Sequence, residues 1–347
     1  MTQILLTIGV PTYNGAKTIN QTIDSIISQF DNFAISKIEI LVSVNKSTDH
    51  TLGIINKYRL RYPDNFRIAI NQKNDSKFDS NLLNLFDLAN GKFVWILSDD
   101  DVLEKNSIDY VSKIIEYYKY DLGVIMTNYS ECNYQLEYKK IRLREEIYED
   151  VYCEKGDDFF IKSRMLFGLI SSLIINRQSW LNSNLKQYIG LNSLHIGALI
   201  QILNREKSFL VSKKLVKFRM DTENIEPRWG ENGTFIIVIY QLIQMWHSMK
   251  FLNYKKETMN YVIDNNYKNN YFIIALAKAQ GLKDTKKAFI EMKKCYEHKN
   301  FFWIWDVPLL FMPNIFYKIL YNLYKLYKNI KILVYKNITL NKVKNDN

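Results

Sequence analysis

The chain has 347 residues, 47% hydrophobic and 14% aromatic, with 12 glycines and 5 prolines, a composition that excludes a disordered or fibrous protein. A formal net charge of +11 points to a negatively charged partner such as a nucleotide, a nucleic acid or an anionic lipid. Cys132, Cys153 and Cys295 are far apart and lack metal-ligand spacing, as expected of reduced residues in a cytoplasmic protein.

The opening "MTQILLTIGVPTYN" has no basic leader region, and its apolar run stops at Pro11, so it predicts a strand over 4–10 rather than a signal peptide. Residues 16–30 place Ile19, Ile23, Ile26 and Ile27 at helical spacing. "KIEILVSV" (37–44) predicts a second strand, and the helix after it can be capped by Thr48 or Asp49. Strands over 66–71 and 92–98 enclose a helix over 79–89. This alternation predicts a parallel, doubly wound α/β sheet, whose ligands gather at the carboxyl ends of the strands. Thr12–Asn14, Asn45–Asp49 and Asp99–Asp101 all follow strands, so all three should meet at that edge.

From about residue 123 the pattern changes. An apolar segment covers 167–177, a helix is expected over 193–204, and "KSFLVSKKLVKFRM" predicts a strand pair. A polar loop at 221–234 precedes a stretch rich in Lys, Tyr and Asn that reads as all helix. The expected division is a catalytic domain at 1–222 and a helical region at 223–347. No run reaches the roughly 18 apolar residues a membrane span requires; "FFWIWDVPLLFM" (301–312) is interrupted by Asp306 and Pro308. The protein is expected to be soluble or to lie on a membrane without crossing it.

"FVWILSDDDV" (93–102) runs an apolar strand into three consecutive carboxylates. They cannot all stay ionised in a partly buried site without a counter-charge. A hard divalent cation, Mg²⁺ or Mn²⁺, takes one or two carboxylates together with substrate phosphates. A solvated acidic turn is the plainer alternative. Phosphatases that form an aspartyl-phosphate also use Asp-x-Asp after a strand, normally an early one.

"VPTYNGAKTINQTIDSI", "EILVSVNKSTDHT" and "KFDSNLLNLFDLANGKFVWILSDDDV" together resemble the family 2 glycosyltransferases of GT-A fold, strongly over 3–125 and weakly over 126–222. More narrowly they resemble the abequosyltransferase-like members that build O-antigen and capsular sugars. The resemblance implies a nucleotide-sugar donor held by Pro11, Thr12, Tyr13 and Asn14, with Asp79 and Asn81 on the base or ribose. Asp79 also stands where a helix cap is expected. It implies Asp99, Asp100 and Asp101 as the DXD-type element, with Asp99 and Asp101 toward the metal and Asp101 the favoured ligand. Val44 stands where the family usually has an Asp on the base; Asn45 would substitute, or the nucleotide is not UDP. Inverting members carry an acidic base in the later half of the domain. Here "YIGLNSLHIGALIQ" offers only Tyr188 and His195 as titratable groups, so His195 is the candidate base, with Asp157 and Asp158 as fallback.

Arg228 and Trp229, in the polar loop, are candidates for an acceptor lid. Over 314–337, Lys318, Asn322, Lys325, Asn329 and Lys336 form a polar stripe against a broad apolar surface. Such a helix suits an anionic membrane surface, its own domain or a second copy of the chain, and it is too apolar for a nucleic-acid arm. The implied activity is sugar transfer to a lipid-linked glycan at the inner face of a bacterial cytoplasmic membrane. A metal-dependent phosphoryl-transfer enzyme and a non-catalytic membrane-surface assembly protein of the same fold remain as alternatives.

Overall fold

The computed structural model describes residues 3–30, 35–71, 78–138, 147–164, 166–191, 193–219, 245–267, 270–320 and 322. Two compact units are present. The first holds the described residues through Arg219 together with Met245–Ile263; the second holds the described residues from Asp264 onward.

The first unit is built on a nine-stranded sheet. Its strands are β1 (Leu6–Thr12), β2 (Ile38–Asn45), β3 (Phe66–Asn71), β4 (Phe93–Ile96), β5 (Val102–Leu103), β6 (Val124–Cys132), β7 (Val151–Cys153), β8 (Leu173–Asn176) and β9 (Ser208–Arg219). They run in the order β3-β2-β1-β4-β8-β6-β9-β5, with β7 paired to β9. The first four strands are parallel, whereas β8 is antiparallel to both β4 and β6. Every residue of β1, β2 and β4 is buried, as expected of parallel strands covered on both faces. The chain moves outward from β1 to β3 and then returns to the other side of β1 for β4. The crevice outside the carboxyl ends at that reversal is where this class of sheet binds ligands.

Helices α1 (Ile19–Ile27), α2 (Thr51–Arg61) and α3 (Phe78–Leu88) supply the crossovers. In α1, Ile19, Thr22, Ile23 and Ile26 are buried, as the spacing predicts. Asp49 performs the capping expected for α2: its Oδ1 accepts from the Thr51 backbone N–H at 3.0 Å and from the Thr51 hydroxyl at 2.5 Å. Helices α4 (Ser107–Tyr117), α5 (Gly156–Lys162), α6 (Arg177–Leu181) and α7 (Leu194–Leu203) complete this half. Trp180 of α6 stacks on Phe86 of α3 with ring centroids 3.8 Å apart.

At the amino edge of the sheet, buried Glu39 accepts from the Thr7 hydroxyl, Arg67 Nη1, and the Asn90 backbone and side-chain nitrogens, at 2.5 to 2.9 Å. A buried carboxylate is tolerable only with donors of this number and quality. These four hydrogen bonds tie the starts of β1, β2 and β3 to the end of α3.

Two sequence expectations change. The segment expected to form a strand pair is a single strand, β9, which runs parallel to β6 throughout. The segment 207–220 contains no Gly, Pro, Asn or Asp to form a tight hairpin turn, and its irregularity is a bulge opposite Thr127 and Asn128. The second change concerns the division at 222, which itself lies outside the described residues. Met245–Ile263 joins the first unit, although it was expected in a separate helical region. Buried Trp246 packs on Phe160 and Phe167, and the Tyr254 hydroxyl donates to the Ile200 carbonyl at 2.8 Å. Aromatic burial of this kind outweighs any boundary suggested by local composition.

The remaining helices are α8 (Lys256–Tyr267), α9 (Asn270–Ala279), α10 (Thr285–Tyr296) and α11 (Val307–Phe311), with a wide π-helical turn at Phe302–Asp306 and a further helix over 314–320. No helix among the described residues is long and apolar enough to cross a membrane.

Candidate active site

Three loops meet at the carboxyl edge of β1, β2 and β4. The Thr12 hydroxyl, at the end of β1, donates to Asp99 Oδ2 at 2.5 Å. Asn14 takes a left-handed backbone (φ 53°). From there its N–H donates to the Ser47 hydroxyl at 3.0 Å, and its Oδ1 accepts from the Thr48 N–H at 2.8 Å. The Ala16 N–H donates to Asp49 Oδ2 at 3.1 Å. The loop after β1 is thus laced to the loop after β2. Between them Gly15 lies so close to the Asp99 carboxylate and the Thr12 hydroxyl that a Cβ there would overlap both. Pro11 is buried within β1, while Tyr13 is exposed, a flat ring beside the crevice. Asn45 is buried at the end of β2, with its Oδ1 unpaired.

The three aspartates have different surroundings. Asp99 is buried against Thr12. Asp100 is half-buried, and its Oδ1 accepts from the Ser98 hydroxyl. Asp101 is fully buried; its Oδ2 accepts from the Ser171 hydroxyl at 2.5 Å and its Oδ1 from the Arg219 backbone N–H at 3.0 Å. Burial, and then the charge of Asp100, push the Asp101 carboxyl well above the usual carboxylate range, against the pull of Ser171 and Arg219. Asp101 is the ligand that the resemblance favours; here each of its oxygens accepts one hydrogen bond that fastens the loop, which leaves a second lone pair on each. Asp100 is the member of the trio that faces outward. Crowded negative charge on hard oxygen donors fits Mg²⁺ or Mn²⁺, which need few protein ligands when a diphosphate supplies the rest. Among the described residues, no group of three or more acidic, His or Cys side chains forms a complete metal cage.

Asp79 and Asn81, expected on the donor, are both buried and spend their polar atoms on the scaffold. Asp79 accepts from the backbone N–H groups of Gly190 and Leu194 at 2.8 and 3.2 Å, which fixes the entry to α7. Asn81 accepts from the Ser43 hydroxyl and donates to the Ser43 carbonyl, fastening α3 to β2.

His195, in the first turn of α7, is buried, lies beside the Gly168 backbone and packs against the ring of Phe78. Burial lowers its pKa to about 4, so it is neutral near pH 7, and its Nδ1 has no hydrogen-bond partner. The fallback carboxylates are differently engaged. Asp157 Oδ1 accepts from the Lys255 N–H at 3.0 Å and from the Thr258 hydroxyl at 2.5 Å, which caps α8. Asp158 is half-buried in the first turn of α5, where a negative charge suits the helix dipole. Arg228 and Trp229 lie outside the described residues.

Two residues of the site escaped sequence reading. Ser171 accepts from the Ser98 N–H, donates to Asp101, and offers its carbonyl to Trp95 Nε1 at 2.9 Å. Its signal was a serine pair inside an apolar run, "LISSLII". Arg219 is buried at the end of β9, where its Nη2 donates to Gln21 at 2.7 Å and its guanidinium lies 5.1 Å from the Tyr134 ring centre. Nothing in the local sequence marks it.

A cavity of about 440 Å³ lined by Arg59, Pro63 and Phe66 lies beside the start of β3, at the opposite edge of the sheet, and none of the candidate site residues lines it.

Comparison with known proteins agrees with this geometry. The chain is 29% identical to the abequosyltransferase RfbV of Salmonella typhimurium over 240 residues, 65% of this chain and 69% of that one. It is 25% identical to the uncharacterized glycosyltransferase MG060 of Mycoplasma genitalium over 325 residues, 91% of this chain and 98% of that one. The fold is similar to that of Staphylococcus aureus TarS 1-349 in complex with UDP-GlcNAc, with a TM-score of 0.62, 14% identity, and coverage of 84% of this chain and 80% of that one. Residues 7–180 match the family model described as Glycosyl transferase family 2. The chain belongs to glycosyl transferase family 2 and has its GT-A fold.

Proposed function

We propose that the protein transfers one sugar from a nucleotide-sugar to a hydroxyl of a glycan acceptor during synthesis of a bacterial surface polysaccharide. The observation that carries this reading is the lacing of the Thr12–Asn14, Ser47–Asp49 and Asp99–Asp101 loops at the reversal point of the sheet. The names of relatives agree with it: an abequosyltransferase, and a poly(ribitol-phosphate) beta-N-acetylglucosaminyltransferase that is 28% identical over 116 residues.

In this reading the crevice between the β1 and β2 loops receives the nucleotide, with Tyr13 beside it and Asn45 Oδ1 offering an acceptor to a base N–H. Mg²⁺ or Mn²⁺, held by Asp100 and Asp99 with Asp101 behind them, would neutralise the charge of the departing nucleoside diphosphate. The bond from the sugar carbon to the diphosphate oxygen breaks as the acceptor oxygen bonds to that carbon. The acceptor's proton would go to Nδ1 of His195, whose lone pair is unspent but buried, so the imidazole must be uncovered for the step. A base with a pKa near 4 is weak, so stabilisation of the leaving group supplies the larger share of the rate. The acceptor would be lipid-linked, met at the inner face of the cytoplasmic membrane through the basic C-terminal region.

The test is a panel of nucleotide-sugars assayed for donor hydrolysis and thermal stabilisation, with and without Mg²⁺ or Mn²⁺. One donor should raise the melting temperature, and the cation should strengthen the effect. If the whole panel produces neither stabilisation nor hydrolysis, the reading is wrong.

A further inference from the structure

The second unit carries an exposed aromatic surface. Trp303, Ile304 and Trp305 are consecutive and are 46%, 63% and 56% exposed. They sit in the π-helical turn Phe302–Asp306, whose wider circuit narrows the angle between neighbours and so lets three successive side chains face outward. Phe302 and Asp306 point inward and are fully buried. Phe289 joins this turn to the next element: its ring meets Trp303 at 6.4 Å and Phe311 at 5.7 Å between centroids. Phe311 and Phe316 are also half-exposed, so the apolar surface runs on from the turn toward the helix over 314–320.

Soluble proteins seldom leave this many large apolar side chains uncovered side by side. Charge decides what would cover them. Residues 301–347 contain seven lysines, two aspartates and no glutamate. One of the two aspartates, Asp306, is buried, so the described part of the segment presents apolar groups and the Lys318 cation but no exposed acid. A second copy would bring the same excess of lysines and be repelled. An anionic bilayer complements both features, since tryptophan settles at the headgroup boundary while lysine meets the phosphates.

We infer that the aromatic turn at Phe302–Asp306, with Phe311 and Phe316, is an element that inserts into the headgroup region of an anionic lipid bilayer. The inference rests on the membrane-surface reading above and changes its emphasis. The lysines attract the protein to the surface, and Trp303, Ile304 and Trp305 enter it.

The experiment uses the full chain with vesicles of phosphatidylcholine alone or mixed with phosphatidylglycerol, the latter also containing brominated lipid. Wild type should pellet with the mixed vesicles, and bromine should quench part of its tryptophan fluorescence. Trp303→Phe/Trp305→Phe, which keeps the apolar surface, should still bind but lose most of that quenching. Trp303→Ser/Trp305→Ser should bind at least tenfold more weakly. Unchanged quenching in the phenylalanine variant would leave the membrane reading standing and overturn this turn as its entry element. Failure of wild type to bind either vesicle would overturn both, as would a dimer in sedimentation that the serine variant abolishes. Donor hydrolysis without vesicles, measured in parallel, reports separately on sugar transfer.

Discussion

The Ser171 hydroxyl donates to Asp101 Oδ2 at 2.5 Å, which fastens the aspartate loop after β4 to the turn that precedes β8. The same hydroxyl accepts from the Ser98 N–H at 3.0 Å, so one buried serine holds both ends of the acidic stretch. Ser171→Ala should leave Asp101 without that donor and the Ser98 N–H without an acceptor. Leaving such buried groups unpaired should lower stability by about 1–3 kcal/mol, read in thermal or urea unfolding. Donor hydrolysis should fall with it, mainly in kcat.

Asp100 and Asp101 should separate when substituted. Asp101→Ala strips the partner from both Ser171 and the Arg219 N–H, so the variant should melt lower even without metal. Asp100→Ala removes a half-buried carboxylate whose partner among the described residues is the neighbouring Ser98, so its melting temperature should match wild type. It should nevertheless lose any stabilisation by Mn²⁺ or Mg²⁺ and most of its activity. Equal behaviour of the two variants in metal titration would show that the outward-facing aspartate has no special part.

His195 gives a pH signature of the folded state. Its pKa is about 4 in the fold against 6.5 in an exposed imidazole. Below pH 6.5 the unfolded chain therefore takes up a proton that the folded chain refuses. Stability should fall as the pH drops from 6.5 to about 4 and then flatten, a loss of roughly 3 kcal/mol from this residue. His195→Gln should lose that slope in a series of urea melts. If Nδ1 takes the acceptor proton, the same variant should transfer sugar about 10²–10⁴-fold more slowly, with donor affinity kept.

Asp157→Ala should act on stability and spare chemistry. It removes the acceptor of the Lys255 N–H and the Thr258 hydroxyl at the start of α8. The expected loss is about 0.5–2 kcal/mol, the usual scale for a helix cap, with donor hydrolysis within a few-fold of wild type. A much larger loss of activity at normal stability would return Asp157 to candidacy as the base.

Gly15→Ala should disable the crevice from within. The added methyl would meet the Asp99 carboxylate and the Thr12 hydroxyl, so one of the two laced loops must move. Isothermal titration should show donor binding weakened at least tenfold, and a structure of the variant should show the Thr12–Asp99 hydrogen bond broken.

The sequence was most legible where periodicity and burial agree. The continuous apolar runs at the starts of β1, β2 and β4 and the spacing of isoleucines in α1 could be read directly, because burial on both faces leaves a strong pattern. The convergence of three polar loops followed from strand order alone. Side-chain allegiance did not. Asp79, Asn81 and Asp157 are donor-site or catalytic candidates by residue type, yet each spends its polar atoms across 38 to 115 residues of chain to fix a scaffold contact. Only the fold reveals such partners. Arg219 was invisible for the same reason: a basic residue at a strand end looks solvated until its partners Gln21 and Tyr134 are known.

The turn from Leu166 to Ser172 sets its Gly168 beside His195 and hydrogen-bonds Asp101 through its Ser171. Three residues of chain span at most about 11 Å between those two attachment points. The separation between imidazole and carboxylates is therefore gauged by covalent length and not by packing alone. One residue inserted between Gly168 and Ser171 could keep each contact in isolation but would let the two clusters drift apart by up to about 3.5 Å. In this molecule the length of an inconspicuous connector limits how far the His195 imidazole and the Asp101 carboxylate can lie from each other.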